Sequence, residues 1–131
     1  MEETLKLGEE IAGNLKGGEV IILDGDLGAG KTVVAKGIAK GLGVNAIVNS
    51  PTFTIVNIYQ GRLKFCHFDM YRIEDEEEVR ELGFEELIGA NDNVCAVEWA
   101  SRTPSLMPDN AIKITINKVD EQKRDITIEG L

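Results

Sequence analysis

The stretch Glu19-Val20-Ile21-Ile22-Leu23-Asp24-Gly25-Asp26-Leu27-Gly28-Ala29-Gly30-Lys31-Thr32 decides how the rest of the chain is read. Its first half is a compact β-branched run of the kind found in a buried strand. Its second half carries the spacing Gly25-x4-Gly30-Lys31-Thr32. A helix follows from Thr32 to Leu42, with Val33, Val34, Ile38 and Leu42 on its apolar side and Gly43 placed to stop it. Strand, glycine-rich turn and helix in that order are the setting in which this spacing forms a phosphate-binding loop. The glycines let the backbone turn tightly and aim successive N–H groups inward, so Asp26, Leu27, Gly28, Ala29 and Gly30 cradle an anion at the positive end of the helix. Lys31 reaches the β- and γ-phosphates of a nucleoside triphosphate, and the Thr32 hydroxyl holds Mg²⁺. Read without that setting, the segment is a glycine-rich turn with a capping threonine; the full match of spacing and flanking elements argues against this.

Bulk properties narrow the field around that loop. The 131 residues suffice for one domain with a single core, spanning 1–131, and a composition of 43% hydrophobic and 28% charged residues is that of a folded globular chain. Apolar runs such as Val20 to Leu23 fall far short of the roughly 20 residues that span a bilayer, and the acidic start Met1-Glu2-Glu3-Thr4 leads into no secretion-signal core. Cys66 and Cys95 lie in separate strand-like runs, too few for a disulfide framework and too far apart in sequence for a zinc pair. They read as buried free thiols in a reducing cytoplasm, so the expectation is a cytoplasmic protein without membrane contact. The formal charge is −9. Phosphate backbones are gripped through Lys and Arg, so a chain this acidic reaches RNA only through a partner.

The remaining elements follow from periodicity. Leu5, Leu7, Ile11, Ala12 and Leu15 after Thr4 form a short amphipathic helix closed by Gly17-Gly18. Thr54 to Tyr59 and Leu63 to Asp69 read as two strands around a Gln60-Gly61-Arg62 turn. Glu74 to Ile88 reads as one helix with Val79, Leu82, Phe84, Leu87 and Ile88 as its apolar set. Val94 to Glu98 is another buried strand, and Ala111 to Asn117 and Arg124 to Glu129 alternate around a polar turn. About three helices and six strands, some joined through helices and some by hairpins, make a P-loop NTPase-like α/β three-layer sandwich with a mixed parallel and antiparallel central sheet.

A nucleotide site of this type needs a carboxylate at the end of a neighbouring strand. Phe65-Cys66-His67-Phe68-Asp69 and Val94-Cys95-Ala96-Val97-Glu98 each end in an acid where the apolar run stops, which is where ligands gather in open α/β sheets. At least one serves the metal; spacing does not order the two. Asn49 to Thr54 is placed for a switch-like hydroxyl, and locally it is equally a Ser-Pro turn starting a strand. Asp75 to Glu78 reads as the solvated first turn of a helix, or a docking face for a basic partner. His67, in mid-strand, reads as a packing or hydrogen-bonding residue, and Trp99 as a neighbour of the site or a core filler. Asn117-Lys118-Val119-Asp120 spells a guanine-selecting N-K-x-D, but it leads into another alternating strand rather than a helix. Nor does any aspartate have a glycine three residues on. A GTPase is therefore disfavoured, and adenine is the expected base.

Five blocks in order carry a resemblance along almost the whole chain. They are Gly25 to Thr32, Ser50-Pro51-Thr52-Phe53-Thr54, His67-Phe68-Asp69-Met70-Tyr71-Arg72, Glu81-Leu82-Gly83-Phe84 and Glu98-Trp99. Together they resemble the TsaE (YjeE) family, small bacterial P-loop ATPases of tRNA threonylcarbamoyladenosine biosynthesis. The resemblance implies an ATP- and Mg²⁺-dependent ATPase, weak alone, that works with two partner proteins, TsaD and TsaB. Those partners install the threonylcarbamoyl group on adenosine 37, so tRNA is met only through the complex. It implies that Thr32 and Glu98 hold the metal, that Asp69 lies by the γ-phosphate aiding the metal shell or the attacking water, and that Lys31, Asp69 and Glu98 serve catalysis. Thr52 becomes the switch-like contact, and Lys123 or Arg124 approaches the base. The N-terminus departs from the family, which commonly has a few residues before the first helix that help cover the nucleotide. A small-molecule kinase and a non-catalytic nucleotide-gated interaction module are the alternatives. The kinase would need an acceptor pocket and a lid, for which no segment is spare.

Overall fold

The computed structural model describes residues 2–25, 30–48, 55–88, 90–121 and 123–131. Its elements run α1 (Glu2–Gly13), β1 (Val20–Asp24), α2 (Lys31–Gly41), β2 (Val56–Gln60), β3 (Lys64–Asp69), α3 (Glu76–Glu81), α4 (Phe84–Leu87), β4 (Asn93–Glu98), β5 (Ile112–Lys118) and β6 (Arg124–Glu129). Short 3₁₀ turns at Ala100–Arg102 and Pro104–Leu106 lie between β4 and β5. The six strands form one sheet in the order β2-β3-β4-β1-β5-β6. β3, β4, β1 and β5 are parallel, while β2 and β6 pair antiparallel at the two edges. The mixed sheet is the expected one. It has a direct cause: the parallel strands sit behind helical crossovers, and each edge strand is the other arm of a tight hairpin.

Alternation along the parallel strands splits the core into two layers. Phe65, Val94, Ala96, Ile21, Leu23, Ile112, Ile114 and Ile116 face α1 and α2, burying Ile11, Leu15, Val34, Ile38 and Leu42. Cys66, Phe68, Met70, Cys95 and Val97 face the other way, against Val79 of α3, Phe84 of α4 and Leu106. Three layers result, with α1 and α2 as one cover. These two helices approach at backbone contact. A Cβ on Gly37 would stand 2.2 Å from the Leu5 carbonyl oxygen and 2.9 Å from the Gly8 Cα, and one on Gly41 would stand 2.5 Å from Ala12 Cβ. The β2–β3 turn is tied to this layer by Arg62. Its guanidinium donates to the Leu15 and Ala12 carbonyls at 3.2 and 2.6 Å just past and within the last turn of α1, where the Ala12 carbonyl also accepts from Leu15 N at 3.1 Å.

Two expectations are corrected. The helix from Glu74 to Ile88 is two short helices. The Asp75 side chain accepts from Glu77 N at 3.1 Å and starts α3 one residue later than its acidic run, and Gly83 at φ 81° ends it in the left-handed conformation that glycine adopts freely. Leu82, expected in the apolar set, is consequently exposed. The first helix starts at Glu2 rather than Thr4. The rejection of the guanine motif holds in the backbone: Val119 N donates to Lys123 O at 3.0 Å and Lys123 N to the Asp120 side chain at 2.9 Å, closing a hairpin turn. Cys66 and Cys95 are free and buried, as expected. Among the described residues no helix is long and apolar enough to cross a membrane.

Candidate nucleotide site

The site is built where the central parallel strands end. β1 stops at Asp24, and the chain turns at Gly25 with φ 152°; it re-enters regular structure at Gly30, which caps α2 at φ 109° and ψ 18°. Both backbones are open to glycine and unfavourable to other residues, which explains their place in the motif. Gly30 O accepts from Val34 N at 3.1 Å, beginning the helix, and no acidic residue occupies the first turn. The positive end of α2 is therefore left uncompensated by its own side chains.

Lys31 is the first residue of α2 and is 95% buried by its surroundings, at 5% exposure. Its Nζ donates to the Gly25 carbonyl at 2.7 Å and lies 4.2 Å above the centre of the Trp99 ring. The ammonium is thus held across the base of the loop by one carbonyl and one aromatic face, with donor capacity left for an anion. Trp99 takes φ 60°, the single positive-φ non-glycine position among the described residues. That backbone turn follows directly on Glu98 and brings the indole over the lysine. Tyr71 packs on it with ring centres 4.8 Å apart, and the Arg102 guanidinium lies 5.8 Å from the Tyr71 ring. Thr32 follows Lys31 on the same helical turn.

Both strand-end acids reach the same edge. Asp69 of β3 and Glu98 of β4 are register partners on neighbouring parallel strands, and Leu23 of β1 pairs with Glu98 on the other side. Glu98 is buried and its Oε2 lies 2.6 Å from Nε2 of the buried His67. Asp69 is half-buried, and its Oδ1 accepts from Tyr71 N at 3.0 Å. Burial pushes the Asp69 carboxyl above its ordinary range; the Tyr71 N–H opposes this, Glu98's charge adds to it, and His67 and Lys31 pull the other way. Two adjacent carboxylates that strain against each other form an oxygen-rich place suited to a hard cation. Among the described residues no three His, Cys, Asp or Glu side chains close a metal cage.

Lys123 and Arg124, expected to approach the base, line a cleft. This cleft of about 710 Å³ lies between α1 and the β5–β6 turn, with Thr4, Lys6 and Glu10 on one wall and Val119, Lys123 and Arg124 on the other. Its size suits a small ligand. Arg124 links it to the loop, because its Nε stands 3.9 Å from where a Gly30 Cβ would be. Lys31, Asp69, Glu98, Thr32, Lys123 and Arg124 therefore surround one end of the sheet. Asp26, Leu27, Gly28, Ala29 and Thr52 lie outside the described residues. Local sequence does not assign Trp99 or His67 to the site; the signal each carries is its position, beside Glu98 for Trp99 and two residues before Asp69 for His67.

Comparison with known proteins places the chain in a family. The family model described as "Threonylcarbamoyl adenosine biosynthesis protein TsaE" matches residues 1–126. The chain belongs to the TsaE family. It is 45% identical over 131 residues to the tRNA threonylcarbamoyladenosine biosynthesis protein TsaE of Bacillus subtilis (strain 168), covering 99% of this chain and 81% of that one. It is likewise 45% identical over 130 residues to the protein of the same name from Aquifex aeolicus (strain VF5), covering 97% and 89%. The TsaE of Treponema pallidum (strain Nichols) is 35% identical over 127 residues, covering 97% and 93%. Among solved structures, the crystal structure of Bacillus YdiB superposes with a TM-score of 0.77 at 38% identity, covering 97% of this chain and 78% of that one. The family's layered α/β fold with a mixed sheet is the fold observed.

Proposed function

We propose that this protein is the ATP-binding and ATP-hydrolysing component of tRNA N6-threonylcarbamoyladenosine biosynthesis, acting in the cytoplasm with TsaD and TsaB and meeting tRNA only through them. The observation that carries the reading is the buried Lys31 ammonium, held by Gly25 and Trp99 at the end of the strands that bear Asp69 and Glu98, in a chain of the TsaE family.

In this reading the backbone amides of 26–30 and Lys31 hold the β- and γ-phosphates and stabilise the charge that develops on the γ-phosphoryl oxygens. Thr32 and Glu98, with Asp69 beside them, are the residues that would hold Mg²⁺, which when bound neutralises charge on the β- and γ-phosphates. Asp69 orients the water that attacks phosphorus in line with the departing ADP oxygen. Its raised proton affinity suits a group that touches a reacting water. Thr52 contributes a switch-like contact, and Lys123 and Arg124 line the cleft for the adenine end. Arg72, the arginine nearest to Asp69 in sequence, is exposed beside Tyr71. A partner-supplied arginine is typically worth ~10³–10⁵ in rate, so hydrolysis by the isolated chain is slow.

The test is ATP turnover by the chain alone and with TsaD and TsaB, with products resolved. ADP and free phosphate in equal amounts, accelerated by the partners and abolished in Lys31→Ala, is the expected result. Phosphate transferred to an added small molecule would instead mean a kinase. Asp69→Ala or Glu98→Gln variants that bind ATP without hydrolysing it, yet support many rounds of tRNA modification, would mean a nucleotide-gated module.

A further inference from the structure

His67 is the chain's sole histidine and is fully buried in β3, the strand that ends in Asp69. Its ring is oriented for one purpose. Nε2 lies 2.6 Å from Glu98 Oε2, whereas Nδ1 is buried with no hydrogen-bond partner among the described residues. A carboxylate only accepts, so Nε2–H donates and Glu98 receives. Phe65 stacks at 6.0 Å between ring centres and limits ring rotation. The alternation of β3 puts His67 and Asp69 on the face that carries α2, and the parallel register sets His67 opposite Ala96 and Asp69 opposite Glu98. The imidazole therefore reaches up one step of the ladder to grip the carboxylate from beneath.

We infer that His67 is a positioning residue for Glu98, fixing one carboxylate oxygen so that the other is presented toward the cation that accompanies the nucleotide. The inference rests on the proposed role of Glu98. The physical reason is general: a ligating carboxylate left to rotate must be ordered when the metal arrives, and a buried hydrogen-bond donor does that ordering during folding. Burying a glutamate without such a donor is costly, so the bond also explains why Glu98 tolerates 4% exposure.

The test compares His67→Gln with His67→Met, two unbranched side chains of similar size of which only the first carries an N–H donor. The readout is the Mg²⁺ concentration that half-maximally tightens ATP binding, measured by calorimetry alongside ATP binding in EDTA and the Tm. His67→Met is expected to need roughly 10- to 100-fold more Mg²⁺, the usual loss when an outer partner of a metal ligand is removed. His67→Gln should stay within a few-fold of wild type, and binding in EDTA should be alike in all three. Equal Mg²⁺ dependence in Met and wild type, or equal loss in Gln and Met, overturns the inference. Should neither variant fold, the wild type still decides. The single histidine gives one pair of imidazole ¹⁵N signals, and Nε2 must appear as the protonated nitrogen and shift when Mg²⁺ is added to the ATP complex. Signals that do not move sink the idea. Glu98→Gln is the separating control: unchanged Mg²⁺ dependence in that variant removes Glu98 from the metal and refutes the underlying site reading, whatever His67 does.

Discussion

Asp69 is the residue at which the site's electrostatics can be read from stability alone. Its carboxyl is raised from 3.8, first by burial, with the Tyr71 N–H lowering it and Glu98 raising it further. Between 3.8 and the raised value the folded chain keeps a proton that the unfolded chain has released. Stability therefore falls as pH rises through that window. Asp69→Asn keeps an oxygen for Tyr71 N and removes the charge. The nucleotide-free variant should melt above wild type at pH 7, with the gap closing as pH falls toward the ordinary carboxylate value. Melting curves of both proteins across acidic to neutral pH check this; a variant less stable at pH 7 means that the charged bond to Tyr71 outweighs burial and Glu98. At this scale the acids themselves were legible, because Phe65 to Asp69 and Val94 to Glu98 are apolar runs that each stop on a carboxylate. The grip of His67 on Glu98 and the seat of Lys31 on Trp99 were not. Both depend on which strands become neighbours and on one left-handed backbone turn, and neither is encoded by local spacing.

The two helices α1 and α2 that cover one face of the sheet set up an opposite-sign experiment on glycine. Replacing a helical glycine by alanine relieves a propensity cost of up to ~1 kcal/mol. At Gly37 that gain is overridden, because the new Cβ would meet the Leu5 carbonyl oxygen at 2.2 Å and backbone on two packed helices cannot yield cheaply. Overpacking of this kind costs roughly 1–3 kcal/mol, so Gly37→Ala should lower the Tm by several degrees. At Gly13 a Cβ meets nothing within 4 Å, and Gly13→Ala should be neutral or stabilising by about 0.5–1 kcal/mol. Parallel thermal melts decide both; a Gly37→Ala protein as stable as wild type would mean that α1 and α2 slide apart without loss. The existence of α1 and α2 was legible from their apolar periodicity, but their glycine contact was not, since a glycine inside a helical pattern signals only a weaker helix. The break at Gly83 was hidden for the same reason: the apolar set Val79, Leu82, Phe84 and Leu87 continues helically through a residue whose backbone does not.

Charge is a property of the whole molecule, and here it is unevenly spread. The segment from Glu74 to Glu86 holds eight carboxylates (Glu74, Asp75, Glu76, Glu77, Glu78, Glu81, Glu85, Glu86) against one arginine, a net −7 within a chain of −9. It lies in the layer opposite α1 and α2, packed by Val79 and Phe84 onto the far face of the sheet. The cationic groups near the candidate site, Lys6, Lys31, Arg102, Lys123 and Arg124, are few; Lys31 is buried on Gly25 and Trp99, Arg102 lies over the Tyr71 ring, and Arg124 donates to the Asp120 and Lys123 carbonyls. Counterion release from a nucleic acid needs several accessible lysines or arginines on one surface, and a field dominated by carboxylates repels a polyanion before contact. The isolated chain should therefore show no gel-shift with tRNA at physiological salt, even at protein concentrations of about 10⁻⁵ M where nonspecific binders of ordinary charge already engage. Adding Mg²⁺ and ATP should not change this, whereas adding TsaD and TsaB should produce a shifted species containing all components. Tight tRNA binding by the chain alone, weakening steeply with salt, would place a cationic surface where the sequence and the fold put carboxylates, and would refute the partner-mediated reading.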